Sequence, residues 1–170
     1  MLRLVKFDTA FIPQLMDMMD EWTAAGEKIV PWAIQKCDYH DIERYAASLE
    51  VKTADENHVL DSTFFCLDTA QDRFVGAVNI RHSLNEALLF SGGHIGDGIR
   101  PSARNQGFGT QMVALALNEC DQLGIRRVLM CCSKRNLASA RTIQKNGGIL
   151  ENEVEDGGEI VQRYWIERTP

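Results

Sequence analysis

No run of 18 apolar residues occurs in the 170-residue chain, so a membrane-spanning helix is not expected. The first residues, Met1-Leu2-Arg3-Leu4-Val5-Lys6, lack the long apolar core of a signal peptide. The five cysteines are odd in number and show no metal-site spacing, which argues against a disulfide framework and a metal centre alike. They read as reduced cytoplasmic thiols that pack as small apolar groups. Repeats and low-complexity segments are absent. Tyrosine is scarce, with none between Tyr45 and Tyr164. Two phosphate motifs are incomplete. Gly109 is followed by Thr110-Gln111 where a P-loop needs Lys-Ser/Thr, and Met112 stands where a dinucleotide fingerprint needs its third glycine.

What is present is one globular composition, 45% apolar and 25% charged, long enough for a single domain over residues 1–170. The net charge of −6 is unevenly spread. From Gly98 to Leu150 eight basic residues face only Glu119 and Asp121, so this segment carries +6 and the remainder −12. A basic segment in an acidic chain suggests a small polyanion held locally. It is too narrow a footprint for nucleic acid.

The centre of that segment is Arg104-Asn105-Gln106-Gly107-Phe108-Gly109-Thr110. An extended stretch, Gly92 to Arg100, precedes it, and an amphipathic helix from Arg104 to Leu123 carries it. Glycines at i and i+2 let the backbone approach a ligand, and the first helical turn offers free N–H groups at the positive end of the dipole. Together they make a phosphate cradle. The plain alternative is an ordinary loop-to-helix turn.

Around it the periodicity predicts strands at 2–7, 63–68, 73–80, 92–100, 127–132, 149–154 and 159–167. It predicts helices after Asp8-Thr9, after Asp38 to Asp41, at 104–123 and at 136–145. The order β-α-α-β-β-β-α-β-α-β-β mixes hairpins with helical crossovers. Neither a sandwich nor a doubly wound sheet has that order, so the class is α+β.

The Arg-x-x-Gly-x-Gly loop, the strand Gly93-His94-Ile95-Gly96 and the helix start Asn136-Leu137-Ala138-Ser139 together resemble the Gcn5-related N-acetyltransferase (GNAT) superfamily. They are closest to its predicted-acetyltransferase branch. The resemblance is strongest from Gly92 to Gly148. It implies a twisted mixed sheet of about seven strands, splayed between the fourth and fifth and flanked by about four helices. Acetyl-CoA would lie in the splay as co-substrate. Backbone groups of Gly98, Ile99 and Arg100 would meet the pantetheine amides. Arg104, Asn105, Gln106, Gly107, Phe108, Gly109 and Thr110 would hold the pyrophosphate. Asn136 would reach the pantetheine arm, with Ser139 and Arg141 near the far end of the cofactor.

The implied activity is acetyl transfer to a primary amine of a small molecule or peptide, by direct attack in a ternary complex. Candidates for the base or for amine binding are Glu27, His82, His94 and Asp97, with Arg81 and Asn85 beside them. Each has a plain alternative as a solvated or structural polar residue. The usual tyrosine acid of the family falls at Ile143. That departure keeps a second reading open, a non-catalytic acyl-CoA sensor or interaction module. The expected location is cytoplasmic, with no membrane or nucleic-acid partner and no metal. A homodimer is left open.

Overall fold

The computed structural model describes residues 1–169. Seven strands are present: β1 (Leu2–Val5), β2 (Asp61–Asp68), β3 (Arg73–Arg81), β4 (Ile95–Ile99), β5 (Arg127–Ser133), β6 (Ile149–Asp156) and β7 (Glu159–Glu167). Four α-helices accompany them: α1 (Ile12–Ala24), α2 (Ile42–Ser48), α3 (Phe108–Gln122) and α4 (Leu137–Lys145). Short 3-10 turns and one π-helical turn, Leu88–Gly92, fill the connections.

The strands form two antiparallel sheets, ordered β1-β2-β3-β4 and β5-β7-β6. β4 and β5 are the facing edges, and no ladder joins them. They touch at one end only. The His94 N–H donates to the Leu129 carbonyl at 2.7 Å, and the Leu129 N–H donates to His94 Nδ1 at 2.9 Å. Gly93 permits this approach. Its φ is +70°, and a Cβ there would stand 2.6 Å from the Leu129 carbonyl oxygen. Beyond His94 the strands part.

Each face of the first sheet has its own core. Alternation along β3, shifted by a bulge at Val75, sends Val75, Val78 and Ile80 to the α3 side, where Met112, Val113 and Leu117 meet them. Phe74 and Ala77 go to the other side, against Leu15, Met18, Met19 and Trp22 of α1. Burial of such side chains contributes ~1.5–3 kcal/mol each. Asn79 and Arg81 continue the Phe74–Ala77 row, so they project toward the α1–α2 side. On β4, Gly96 and Gly98 face that same side, and a Cβ at Gly98 would lie 2.3 Å from the Val30 carbonyl oxygen. The α1–α2 connection therefore lies directly on β4 as a strap, Val30-Pro31-Trp32.

The predicted class and element order match this architecture, and boundaries moved by more than two residues in two places. The strand expected over 92–100 starts at Ile95, because the preceding residues wind into the π-helical turn. The helix expected from Arg104 begins at Phe108. The residues before it include a 3-10 turn, Pro101–Ala103, and two residues with positive φ, Asn105 (+60°) and Gly107 (+79°).

Candidate functional site

A cavity of about 660 Å³ opens where β4 and β5 part. Gly107 caps α3 with no side chain. The N–H groups of Gln106 to Thr110 meet no protein acceptor among the described residues, so they are free for an anion. Gly109 leaves the mouth open. A Cβ there would make ordinary contacts of 3.6 Å to Ile99 and 3.7 Å to Thr142, filling the space between α3 and α4. These residues fit a phosphate-bearing ligand.

The structure brings together most of the cofactor residues expected from the sequence. Gly98, Ile99, Arg104, Asn105, Gly107, Gly109 and Thr110 line the cavity, as do Asn136, Ser139 and Arg141. Gln106 and Phe108 complete the turn around them. The Asn136 side-chain oxygen accepts from the Ser139 N–H at 3.1 Å and caps α4, which leaves its amide hydrogens for a ligand.

Arg100 departs from the expected role. Its backbone N–H donates to Val75 inside the sheet. Its side chain, 3% exposed, donates Nε to Glu21 at 2.6 Å and Nη1 to Asp17 at 2.5 Å. It joins β4 to α1 and is shut away from the cavity. A cation of the basic segment is thus neutralised by acids from outside it, which sequence counting did not reveal.

Arg104 reaches two ways. Nε donates to the Ile99 carbonyl at 3.1 Å, and Nη2 pairs with Glu27 at 2.6 Å. That pair closes over the strap side of the cleft. The guanidinium beside Glu27 lowers that carboxyl's pKa, chiefly through the hydrogen bond.

Asp97 stands in the cavity next to Gly98. Burial raises its pKa to about 6, and the charge of Arg81 opposes the rise. The other candidates lie elsewhere. His94 is buried at the junction of β4 and β5, where its Nδ1 accepts from Leu129. Burial, with Arg81 adding repulsion, holds its pKa down to about 4. His82 bonds Ser62 through Nε2 at 2.9 Å and lines neither this cavity nor the one below. Asn85 caps the π-helical turn through Leu88 N–H and donates to the Asn57 carbonyl.

A second cavity of about 300 Å³ lies on the far side of the strap. Arg81 and Asn85 line it, together with Trp32, Asp61 and Asn79.

Six lining residues of the larger cavity escaped the sequence reading: Trp22, Val30, Ala103, Ala138, Thr142 and Lys145. Thr142 and Lys145 follow Ala138 at i+4 and i+7 on α4, so helical spacing from Asn136 could have found them. Trp22 and Val30 come from distant segments with no such signal. Trp22 is fully buried, and its Nε1–H has no partner among the described residues, an unmet donor at the cavity wall. Ile143 is fully buried in the core, wedged against Gly148, and supplies no ionisable group.

Comparison with known proteins agrees with this geometry. A family model described as acetyltransferase (GNAT) domain matches residues 2–149. No curated protein matches the chain significantly. Among solved structures, one similar fold is RimL, a ribosomal L7/L12 alpha-N-protein acetyltransferase in complex with coenzyme A. It is 18% identical with TM-score 0.69, over 98% of this chain and 94% of that one. A mutant form of the spermidine/spermine N-acetyltransferase SpeG from Vibrio cholerae aligns at 14% identity and TM-score 0.63, over 99% and 95%. A GNAT-family acetyltransferase from Streptococcus pneumoniae aligns at 16% identity and TM-score 0.67, over 99% and 100%.

Proposed function

The chain belongs to the GNAT acetyltransferase family, and from that premise we propose that it moves an acetyl group from acetyl-CoA to a primary amine by direct attack. The observation that carries this reading is a single cavity with an N–H cradle at one end and Asp97 at the other. Acetyl-CoA supplies an activated acyl group on a thiol leaving group.

The chain's own work is positioning and proton handling. The turn Gln106–Thr110 holds phosphate through backbone N–H groups. The backbone of Gly98 and Ile99 lines the path toward the thioester. Asn136 meets the pantetheine arm from α4, with Ser139 and Arg141 near the far end of the cofactor. Asp97 takes the proton that the amine nitrogen releases as its bond to the acyl carbon forms and the C–S bond breaks. A carboxylate with a pKa of about 6 is ionised at neutral pH and more basic than an exposed aspartate. An ammonium in water holds its proton far more tightly, at ~10.4. Desolvation in the cleft lowers that value and narrows the gap. The departing thiolate is protonated by water. His94 serves the site by fixing where β4 and β5 diverge, and Glu27 serves by holding Arg104.

One observation favours a second reading. α4 presents buried Ile143 where the family places its tyrosine acid, as expected of an acyl-CoA-binding module without turnover. Release of free CoA thiol in the presence of a panel of amines separates the two. Amine-dependent release with a matching acetylated product is expected. Tight acetyl-CoA binding without product from any amine overturns the enzyme reading and leaves the sensor.

A further inference from the structure

Two buried arginines of this protein are matched by carboxylates. Arg100 has Asp17 and Glu21, and Arg163 has Glu151 with the Leu89 carbonyl and Asn152. Arg81, half-buried, forms no ion pair among the described residues. Its only bonds are two long ones, 3.3 Å each, from Nη1 to the carbonyls of Gly92 and Gly93. Nε and Nη2 have no protein acceptor, although the residue lines the second cavity. Burial makes its charge costlier, with Asp61 and Asp97 near enough to offset part of that cost. Asp61 itself is engaged, accepting the Val51 N–H at 2.7 Å. A guanidinium with an unused fork in a shielded site fits a planar bidentate anion.

The surroundings suit one. Lys36 adds a second cation to the lining, and Asn79 and Asn85 add amides. Trp32, 63% exposed, forms an aromatic wall at the mouth. The cavity of about 300 Å³ holds a small molecule.

Its position relates it to the reaction site. The Arg81 guanidinium lies over Gly96, with Nη2 3.2 Å and Pro31 Cβ 3.3 Å from where a Cβ on Gly96 would sit. Val30 lines the larger cavity and Trp32 the smaller, so the strap divides them while β4 runs beneath both. From Gly96 to Gly98 is ~7 Å of extended strand.

We propose that the cavity beneath Trp32 is the subsite for a carboxylate carried by the amine acceptor, with Arg81 as its ion-pair partner. The acceptor is then a small amino carboxylate, its carboxylate seated on Arg81 and its amine directed past the open edge of β4 into the larger cavity. This rests on the acetyl-transfer reading and names the substrate class for it.

The test uses matched amines with and without the carboxylate, such as phenylalanine and phenethylamine, or β-alanine and ethylamine. The wild-type protein favours the carboxylate member of each pair by about tenfold or more in kcat/KM, the scale of an unpaired charge left in a site. Arg81→Gln removes the charge and keeps a polar side chain of moderate length. It reduces that preference to less than about twofold, leaving the acetyl-CoA KM and the melting temperature unchanged. Pairs turned over equally by the wild type, or a preference that survives Arg81→Gln, overturn the subsite while acetyl transfer stands. Should no amine be turned over, the acetyl-transfer reading falls and propionate decides the subsite alone. Saturable shifts of the Asn79 and Asn85 side-chain amides by NMR, lost in Arg81→Gln, support it. Their absence in the wild type overturns it.

Discussion

The two cavities beside β4 are built in opposite ways. The larger one takes its polar groups from backbone and mainly from two segments, the α3 turn and the first turns of α4. The smaller one takes side chains from the strap, the stretch before β2, β3 and the π-helical turn. Backbone N–H groups at a helix start recognise a phosphate whatever the neighbouring side chains, so that half serves any acyl-CoA. Side chains gathered from distant segments recognise one partner, so that half sets the acceptor. Asp97 stands at the junction. Its carboxyl lines the larger cavity and feels the Arg81 charge from the smaller.

The largest expected effect is at that junction. Asp97→Asn should lower kcat by ~10²–10⁴, the range for loss of a general base. Acetyl-CoA affinity should stay near wild type. The pH dependence has a definite sign. Between the unfolded value near 3.8 and the folded value of about 6, the folded protein holds a proton that the unfolded chain has lost. Stability from this group therefore falls as pH rises through that window. Asp97→Asn should melt at or above the wild type at pH 7.5, with the advantage vanishing below about pH 4. Wild-type kcat/KM should rise through about pH 6 as the carboxyl ionises. A variant that loses stability and keeps its rate would place Asp97 among structural residues.

The next effect isolates the backbone half. The Cβ added by Gly109→Val meets only ordinary contacts and there is no positive φ to violate, so the fold should hold. Its side chain displaces phosphate from the N–H row. Hydrogen bonds to a charged group contribute ~1.5–3 kcal/mol each, so losing one or two weakens acetyl-CoA by ~100-fold. Calorimetry measures this directly. Unchanged affinity would mean that the cradle does not hold the cofactor. Gly107 is a poorer probe, because at φ +79° any side chain also strains the backbone.

That division explains what the sequence could show. The cradle was readable from Arg104 to Gly109 because its function lies in local backbone geometry, which glycine spacing encodes. The splay was readable only through family resemblance. Its starting point is fixed by the His94–Leu129 contact between residues 35 apart, which no local pattern encodes. The same blindness covers Arg100, whose partners lie on α1, and the unpaired state of Arg81. Both depend on which side chains the fold brings near.

His94 allows an intermediate-sized test of that explanation. His94→Ala leaves the Leu129 N–H buried without an acceptor, at ~1–3 kcal/mol. For a chain of this size that lowers the melting temperature by roughly 2–4 °C per kcal/mol. Below the transition, kcat/KM should remain within a few-fold of wild type. A large rate loss with an unchanged melting temperature would return His94 to the chemistry.

The smallest effect concerns the ion pair that joins the cofactor side to the strap. Arg104 and Glu27 are both partly exposed, at 39% and 45%, so their attachment is weak and screened by solvent. An arriving pyrophosphate competes with Glu27 for the same guanidinium. Removing the competitor with Glu27→Gln should therefore tighten acetyl-CoA by a few-fold, roughly 2–5. High salt should shrink the difference, because mobile ions screen both the pair and its replacement. Once released by the cofactor, Glu27 becomes a free carboxylate beside the strap, close to where an amine would enter. If it then attracts the acceptor, Glu27→Gln raises the amine KM while tightening acetyl-CoA, and the two sides of β4 are coupled through one exchange of partners. Isothermal titration at two ionic strengths, paired with amine kinetics, reads both changes. If neither moves, Glu27 is a solvated loop acid and the two cavities work independently.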